Sequence, residues 1–146
     1  MNDMSKDVRF SITSSFENVA NLAEEVSVLC ADRPGMDGDT SDMLRLCLAE
    51  ALNNIVEHAY LGAEGKPIFA DVQFLPDRLE VLLIDEGHPM PKGQVPEGNS
   101  EIDFDDLENL PEGGFGWMLI RSQMDLVEYE RREGCNVLRL CKDLAA

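Results

Sequence analysis

Five segments of the chain alternate apolar and polar residues with a period of two, which is typical of half-buried β-strands. The predicted strands cover residues 8–13, 68–74, 79–85, 126–132 and 135–141. Turns at Pro76-Asp77 and Glu133-Gly134 join the last four into two consecutive pairs. In the first of these pairs one face is apolar except for its last member, an aspartate; this face carries Ile68, Ala70, Val72, Phe74, Leu79, Val81, Leu83 and Asp85.

Three other segments have the helical period of 3.6. The predicted helices cover about residues 16–30, 40–60 and 115–124. Ser14 and Glu17 form a capping-box pattern before the first helix, and Asp39, Thr40 or Ser41 can cap the second. The predicted apolar sides are Phe16, Val19, Ala20, Ala23, Val26 and Leu29 on the first helix and Leu44, Leu48, Ala51, Leu52, Ile55 and Ala59 on the second.

The stretch from His88 to Glu112 has no regular period and contains four prolines. Loops of that length are uncommon unless they are mobile or functional. The order β-α-α-β-β-loop-α-β-β predicts an α+β two-layer sandwich, with helices packed on one face of a mixed, mostly antiparallel sheet. For a chain of 146 residues we expect a single domain, covering residues 8–144, after a flexible tail of residues 1–7.

The net charge of −17 argues against nucleic acid and anionic membrane surfaces as partners. It fits a basic protein partner, although high solubility alone would account for it. The four cysteines form no C-x-x-C pair and there are only two histidines, so a zinc site is not expected. The polar start of the chain and the lack of a membrane-length apolar run predict a cytoplasmic protein with reduced thiols.

Residues 113–121, Gly-Gly-Phe-Gly-Trp-Met-Leu-Ile-Arg, place a cluster of glycines directly before a predicted helix. Glycines let a ligand come close to the backbone, and the helix N-terminus offers unpaired N–H groups and the positive end of a dipole. Such a place binds phosphate, although a glycine-rich turn before a helix is more often only a turn.

Polar residues of the second helix and third strand add candidate chemistry. Glu50, Asn54 and His58 share one side of the helix, where a carboxylate and an amide oxygen suit proton transfer and magnesium, or form a solvated polar face. Asp85 faces the core and needs a donor, either the exocyclic amine of a purine or a backbone N–H of the next turn. We expect His58 and His88 to be structural or exposed.

Together these segments resemble a known family. Glu50-x-x-x-Asn54 on a helix, Asp85-x-Gly87 at a strand end and Gly114-x-Gly116 at a helix start resemble the N, G1 and G2 boxes of the GHKL ATP-binding superfamily. Residues 48–60 and 113–129 are similar to the anti-sigma-factor serine/threonine kinases of the RsbW and SpoIIAB type, and the similarity extends from about Val8 to Leu144.

The resemblance implies a Bergerat-type fold and an ATP- and Mg²⁺-dependent serine protein kinase. Glu50 would be the general base for a substrate serine, and Asn54 would hold Mg²⁺. Asp85 would bind the adenine amino group, Gly87 would permit close approach, and residues 88–112 would form a lid. The ATP phosphates would be wrapped by Gly113, Gly114, Phe115 and Gly116.

The implied substrate is a serine on a small anti-anti-sigma (STAS) protein, and the implied second partner is a sigma factor or a similar regulator. Members of the family are commonly homodimers. Two alternatives stay open: a nucleotide-dependent binding module without phosphotransfer, and a domain that hydrolyses ATP slowly to drive a conformational switch.

The chain departs from the family pattern at two places. Pro89 stands where the second glycine of a full Asp-x-Gly-x-Gly box would be. The last hairpin reads Gly134-Cys135-Asn136 where the family commonly has Gly-Thr, so a threonine contact near adenine is replaced or missing. Residues 93–120 also contain seven acids and no Lys or Arg, which predicts that ATP binding depends strongly on Mg²⁺.

Overall fold

The strands and helices follow the predicted order in the computed structural model, which describes residues 6–96 and 115–144. The strands are β1 (Lys6–Thr13), β2 (Pro67–Phe74), β3 (Arg78–Asp85), β4 (Leu126–Arg132) and β5 (Cys135–Asp143), and the helices are α1 (Phe16–Cys30), α2 (Gly38–Asn54) and α3 (Phe115–Gln123). The prediction of an α+β two-layer fold is confirmed, and β1 begins two residues before its predicted start.

The five strands form one sheet in the order β1-β2-β3-β5-β4. Every described pairing is antiparallel, so the sheet is simpler than the mixed sheet that we expected. Burial alternates strictly along β2 and β3, as their sequence pattern predicts. The register pairs Asp85 with Ile68 on one neighbour and with Asn136 on the other, which brings two polar residues together at one end of the central strands.

The helices bury their apolar sides against the face of the sheet that carries Ile68, Val72, Val81 and Leu83. All six residues predicted for the apolar stripe of α2 are buried. On α1 the prediction is wrong for Phe16 and Ala20, which are exposed, because the buried side is centred on Leu22, Val26 and Cys30. Removing these apolar side chains from water supplies the main stabilisation of the fold.

The first helix is capped one residue later than predicted. Ser15, not Ser14, accepts a hydrogen bond from the backbone N–H of Asn18 at 3.0 Å. Ser14 is buried instead, where its hydroxyl donates to Ala63 O at 2.6 Å and accepts from Lys66 N at 3.0 Å. Ser14 therefore ties the end of β1 to the turn before β2.

The second helix, in contrast, is capped earlier than predicted, and its last turn is not α-helical. Asp37 accepts from the N–H of Thr40 at 2.7 Å and is the N-cap, in place of residues 39–41. The helix ends at Asn54 and continues as a single π-turn over Ile55–Ala59. Such π-turns often occur at functional sites, and this one directs Ala59 and Tyr60 toward the end of β3.

Within the part of the chain that the structure describes, no helix is both long and apolar enough to cross a membrane.

Candidate functional site

A cavity of about 400 Å³ opens between the C-terminal half of α2, the start of α3 and the ends of β3 and β5. A volume of this size is within the range of small-molecule and cofactor pockets. Its walls are largely apolar; the apolar lining includes Ala51, Ile55, Ala59, Met90, Trp117 and Leu138, and the polar lining residues are Asn54, His58, Asp85, His88, Tyr129 and Asn136.

The floor of the cavity carries Asp85, the last residue of β3, whose side chain is buried with 3% exposure. Its Oδ1 accepts from the backbone N–H of Gly87 at 2.9 Å and from Nδ2 of Asn136 at 2.8 Å. Both recorded bonds end on the same oxygen. Burial raises the pKa of this carboxyl, while the Gly87 N–H, the Asn136 amide and the Arg131 guanidinium oppose that rise.

A polar network surrounds Asp85 and reaches the segment after β3. Asn136 Nδ2 also donates to His88 O at 2.8 Å, and its Oδ1 accepts from the Tyr129 hydroxyl at 2.5 Å. The Tyr129 hydroxyl in turn accepts from Met90 N at 3.0 Å. Three strands and the first residues of the long loop are thus joined through one buried asparagine.

Gly87 packs against the π-turn at the end of α2. A β-carbon at position 87 would lie 2.6 Å from the carbonyl carbon of Ala59 and 2.9 Å from its β-carbon. The next residue, His88, donates its backbone N–H to Ala59 O at 2.8 Å. Only glycine therefore fits between β3 and the π-turn. Packing within the protein thus explains the glycine at position 87, which we had expected to allow close approach of the ligand.

Asn54 lies at the end of α2 and lines the cavity. Its amide nitrogen donates to the carbonyl oxygen of Glu50, one turn earlier, at 2.8 Å. The amide oxygen consequently points away from the helix backbone, and the residues that the structure describes donate no hydrogen bond to it.

Glu50 is half-buried and lies beside the first turn of α3. A β-carbon at position 116 would be 2.5 Å from Oε2 of Glu50 and 3.3 Å from its carboxyl carbon. The glycine at this position lets a carboxylate approach the N-terminus of a helix, where N–H groups and the helix dipole favour negative charge. Two distant motifs of the sequence therefore meet here.

The other predicted phosphate ligands are only partly described. Phe115 begins α3, and Gly116 follows it in the first turn. Gly113, Gly114 and residues 97–112 of the expected lid lie outside the described residues. Arg121, further along α3, donates to Val95 O at 3.0 Å and to Pro96 O at 2.9 Å, so it holds the described part of that segment.

Sequence reasoning missed the contribution of Asn136, Tyr129 and Trp117 to the cavity. Asn136 had a signal, because it follows the turn at which the family commonly carries threonine. Tyr129 and Trp117 had none, because an aromatic residue in a strand or helix is usually part of the core.

The fold, the cavity and its polar lining residues are those of an α+β nucleotide-binding domain. Residues 12–142 match the histidine kinase-like ATPase domain. Serine-protein kinase RsbW of Halalkalibacterium halodurans is 33% identical over 115 residues, which are 78% of this chain and 69% of that protein. The proteins of the same name from Bacillus pumilus and Bacillus cereus are 33% and 32% identical, over 73% and 74% of this chain and 68% of each relative.

The chain therefore belongs to the histidine kinase-like ATPase domain family, in the group of the RsbW kinases. It is an ATP-binding protein kinase of the GHKL class.

Proposed function

We propose that the chain transfers the γ-phosphate of Mg-ATP to a serine of a small STAS-domain protein and that, in a second complex, it sequesters a sigma factor or a similar regulator. Serine as the acceptor is supported by relatives that carry the name serine-protein kinase. The observation that carries the proposal is the contact between the Glu50 carboxylate and Gly116 at the start of α3.

The position of Glu50 beside the first turn of α3 supports a role as general base. A phosphate bound at the N-terminus of α3 would place its terminal phosphorus near this carboxylate. The serine hydroxyl of a docked substrate would attack that phosphorus, and Glu50 would accept the hydroxyl proton while the bond to ADP breaks. Positioning and electrostatic stabilisation then account for most of the remaining rate enhancement.

Asn54 fits a magnesium ion that is held mainly by phosphate oxygens and water. It offers one neutral amide oxygen, since its nitrogen is engaged by Glu50 O. Among the described residues there is no group of three or more His, Cys, Asp or Glu side chains that could hold a metal alone. Magnesium usually keeps several waters and binds with few protein ligands plus substrate phosphates, which agrees with this arrangement.

Asp85 fits the recognition of the adenine amine at the floor of the cavity. Its recorded protein donors occupy Oδ1, so Oδ2 is the atom that we assign to the base. The apolar walls formed by Ile55, Trp117 and Leu138 would cover the faces of the ring. An analogue without the amine would leave the buried carboxylate unpaired and bind more weakly.

The charge of −17 supports a partner with a basic surface. Sigma factors present basic surfaces to DNA, so an acidic antagonist competes with DNA electrostatically. Binding of such a partner should weaken as the salt concentration rises, because exposed charges are screened.

The decisive experiment measures phosphate transfer from Mg-ATP to a co-encoded STAS-domain protein. Glu50→Gln keeps the shape of the side chain and should reduce the transfer rate by about 100-fold or more, with ATP affinity changed only a few-fold. Glu57→Gln is the matched control, because Glu57 lies in the π-turn after α2 and its side chain is 54% exposed beside His58.

Transfer that survives in Glu50→Gln would remove the base assignment. Binding of STAS proteins without transfer to any of them, by the wild-type chain, would instead favour the regulatory binding module.

Gly116→Ala tests the same contact from the other side. The closest contact of the added β-carbon would be with the carboxylate end of the flexible Glu50 side chain, so the carboxylate can move and we expect the fold to be retained. We expect little loss of thermal stability and a loss of transfer of at least about tenfold, because a small displacement of a base is costly. Equal transfer by Gly116→Ala and wild type would show that the contact has no role in the reaction.

A further inference from the structure

Asn136 uses its whole hydrogen-bonding capacity within the protein. Its Oδ1 accepts from the Tyr129 hydroxyl at 2.5 Å and from Arg131 Nη1 at 3.0 Å. Its Nδ2 donates to Asp85 Oδ1 and to His88 O, each at 2.8 Å. An amide has two acceptor and two donor positions, so all four are filled.

This set of partners fixes the orientation of the amide. The two donors, Tyr129 and Arg131, face the oxygen. Only acceptors face the nitrogen: Asp85 and His88 at 2.8 Å and, more distantly, Gly87 O at 3.4 Å. A flipped amide would place an oxygen against the Asp85 carboxylate and a nitrogen against two donors. The side chain is 4% exposed, so water does not supply a substitute for these bonds.

The fixed amide has a consequence for the neighbouring carboxylate. Asn136 and the N–H of Gly87 together hold Asp85 Oδ1, which settles the rotation of the carboxyl group and leaves Oδ2 for the base.

We propose that Asn136 is a positioning residue for purine recognition. By binding Asp85 Oδ1 it orients the carboxylate so that Oδ2 faces the purine amine, and its other hydrogen bonds couple this orientation to His88 and Met90. The proposal rests on the assignment of Asp85 to the adenine amine in the proposed function. The link to the loop runs through two routes, directly to His88 O and through the Tyr129 hydroxyl to Met90 N.

The test compares the dissociation constants of ATP and inosine triphosphate, which lacks the amine, for the full chain with Mg²⁺ by calorimetry. Wild type should prefer ATP. Asn136→Ala should bind ATP about tenfold or more weakly, as expected for the loss of a hydrogen bond to a charged group, while binding of inosine triphosphate changes less. The ratio of the two constants should therefore fall.

Asn18→Ala is the matched control. The Asn18 amide also donates two hydrogen bonds, to Thr13 O and Thr13 Oγ1, but it lies at the start of α1 and not among the residues of the cavity. This variant should keep the wild-type ratio, whatever its effect on thermal stability.

Tyr129→Phe provides the test if Asn136→Ala does not fold. It removes one of the two donors that orient the Asn136 amide and leaves Arg131 in place, so the ratio should fall by a smaller factor. Amide exchange at Met90 adds a second readout: it should accelerate in Asn136→Ala, although Met90 donates to Tyr129 and not to Asn136.

The outcomes separate the two proposals. Wild type that binds both nucleotides equally well would refute the assignment of Asp85 to the amine and, with it, the role of Asn136. Wild type that prefers ATP, with an unchanged preference in both Asn136→Ala and Tyr129→Phe, would leave the Asp85 assignment standing and overturn the role of Asn136.

Discussion

Two glycines in this chain differ in what surrounds them, and the difference predicts opposite effects of the same substitution. Gly87→Ala would force a β-carbon to 2.6 Å from the Ala59 carbonyl carbon, which is backbone and cannot rotate away. We expect destabilisation of roughly 1–3 kcal/mol, since the π-turn and β3 must separate. Chemical denaturation monitored by circular dichroism measures the change.

Gly38→Ala is the control for that prediction. A β-carbon at position 38, in the first turn of α2, meets nothing within 4 Å. The substitution should leave stability unchanged or raise it by up to about 1 kcal/mol, because alanine is the better helix former. Equal costs for both variants would mean that the contact of Gly87 with Ala59 is not the reason for the glycine.

At the residue scale, the sequence predicted which residues belong to the candidate site better than it predicted their hydrogen-bond partners. Glu50, Asn54 and Asp85 could be selected because their spacing matches family motifs, and the structure brings Asn54 and Asp85 to one cavity. The role of Asn136, on β5, depends on Tyr129 and Arg131 of β4 and on Asp85 of β3. Asn136 and Asp85 are 51 residues apart, and a contact between strands so distant in sequence has no local pattern from which it could be predicted.

At the scale of the elements, Arg121 joins α3 to the segment that follows β3. Its guanidinium donates to two successive carbonyls, Val95 O and Pro96 O, and Pro96 is part of the cavity wall. A fork of two donors is a property of arginine that lysine lacks. We infer that this side chain holds a wall of the cavity and is not a phosphate ligand.

Arg121→Lys distinguishes these two roles. Loss of the wall contact should weaken the binding of adenosine, ADP and ATP by similar factors of about 3–10, which corresponds to one or two ordinary hydrogen bonds. A phosphate ligand would tolerate lysine, and Arg121→Leu would then weaken ATP far more than adenosine. Calorimetry with the three ligands and both variants decides between the patterns.

The elements themselves were predictable because their periods are clear. Strands β2 and β3 alternate without interruption, and the apolar stripe of α2 is complete, so their existence and buried faces were correct. The ends were not. Ser14 and Ser15 are both residues that commonly cap helices, and the contacts of Ser14 with Ala63 and Lys66 determine which of them is buried. The π-turn keeps the same apolar stripe, so the pattern did not reveal it.

At the scale of the whole molecule, buried thiols should make the free energy of unfolding decrease as the pH rises in the alkaline range. Burial raises the pKa of Cys30 to about 12 and of Cys47 to about 11, from 9.0, with Arg33 and Lys142 respectively opposing the rise. The folded chain keeps these protons above pH 9 whereas the unfolded chain loses them. Stability should therefore be unaffected by these groups below about pH 9 and fall between about pH 9 and 12.

The double variant Cys30→Ala/Cys47→Ala isolates this effect. Its stability at neutral pH should be lower because two small cavities form, but its decline from pH 9 to pH 11 should be smaller than that of wild type by roughly 1–3 kcal/mol. Cys135→Ala, at a half-buried position in β5, controls for the removal of a cysteine. Parallel pH profiles for wild type and the double variant would contradict the assignment.

The distribution of charge over the molecule determines how the triphosphate is neutralised. The net charge is −17, and two arginines near the cavity are already engaged. Arg121 binds the carbonyls of Val95 and Pro96, and Arg131 donates to Gly87 O at 2.6 Å and to Asn136 Oδ1. Among the described residues, the counterweight to the phosphates is therefore the N-terminus of α3, and the Mg²⁺ proposed beside Asn54 would supply the rest.

Removal of Mg²⁺ should consequently weaken ATP much more than adenosine. In excess EDTA we expect ATP affinity to fall by about 100-fold or more, because several phosphate charges would face an acidic protein with only one helix dipole to offset them. Adenosine carries no phosphate and should bind equally well with and without EDTA, which controls for any effect on the fold. Calorimetry gives both constants. Tight ATP binding in EDTA would require a cationic group that contacts the phosphates, and Arg121→Leu and Arg131→Leu would then show which of the two arginines leaves its carbonyl partners to provide it.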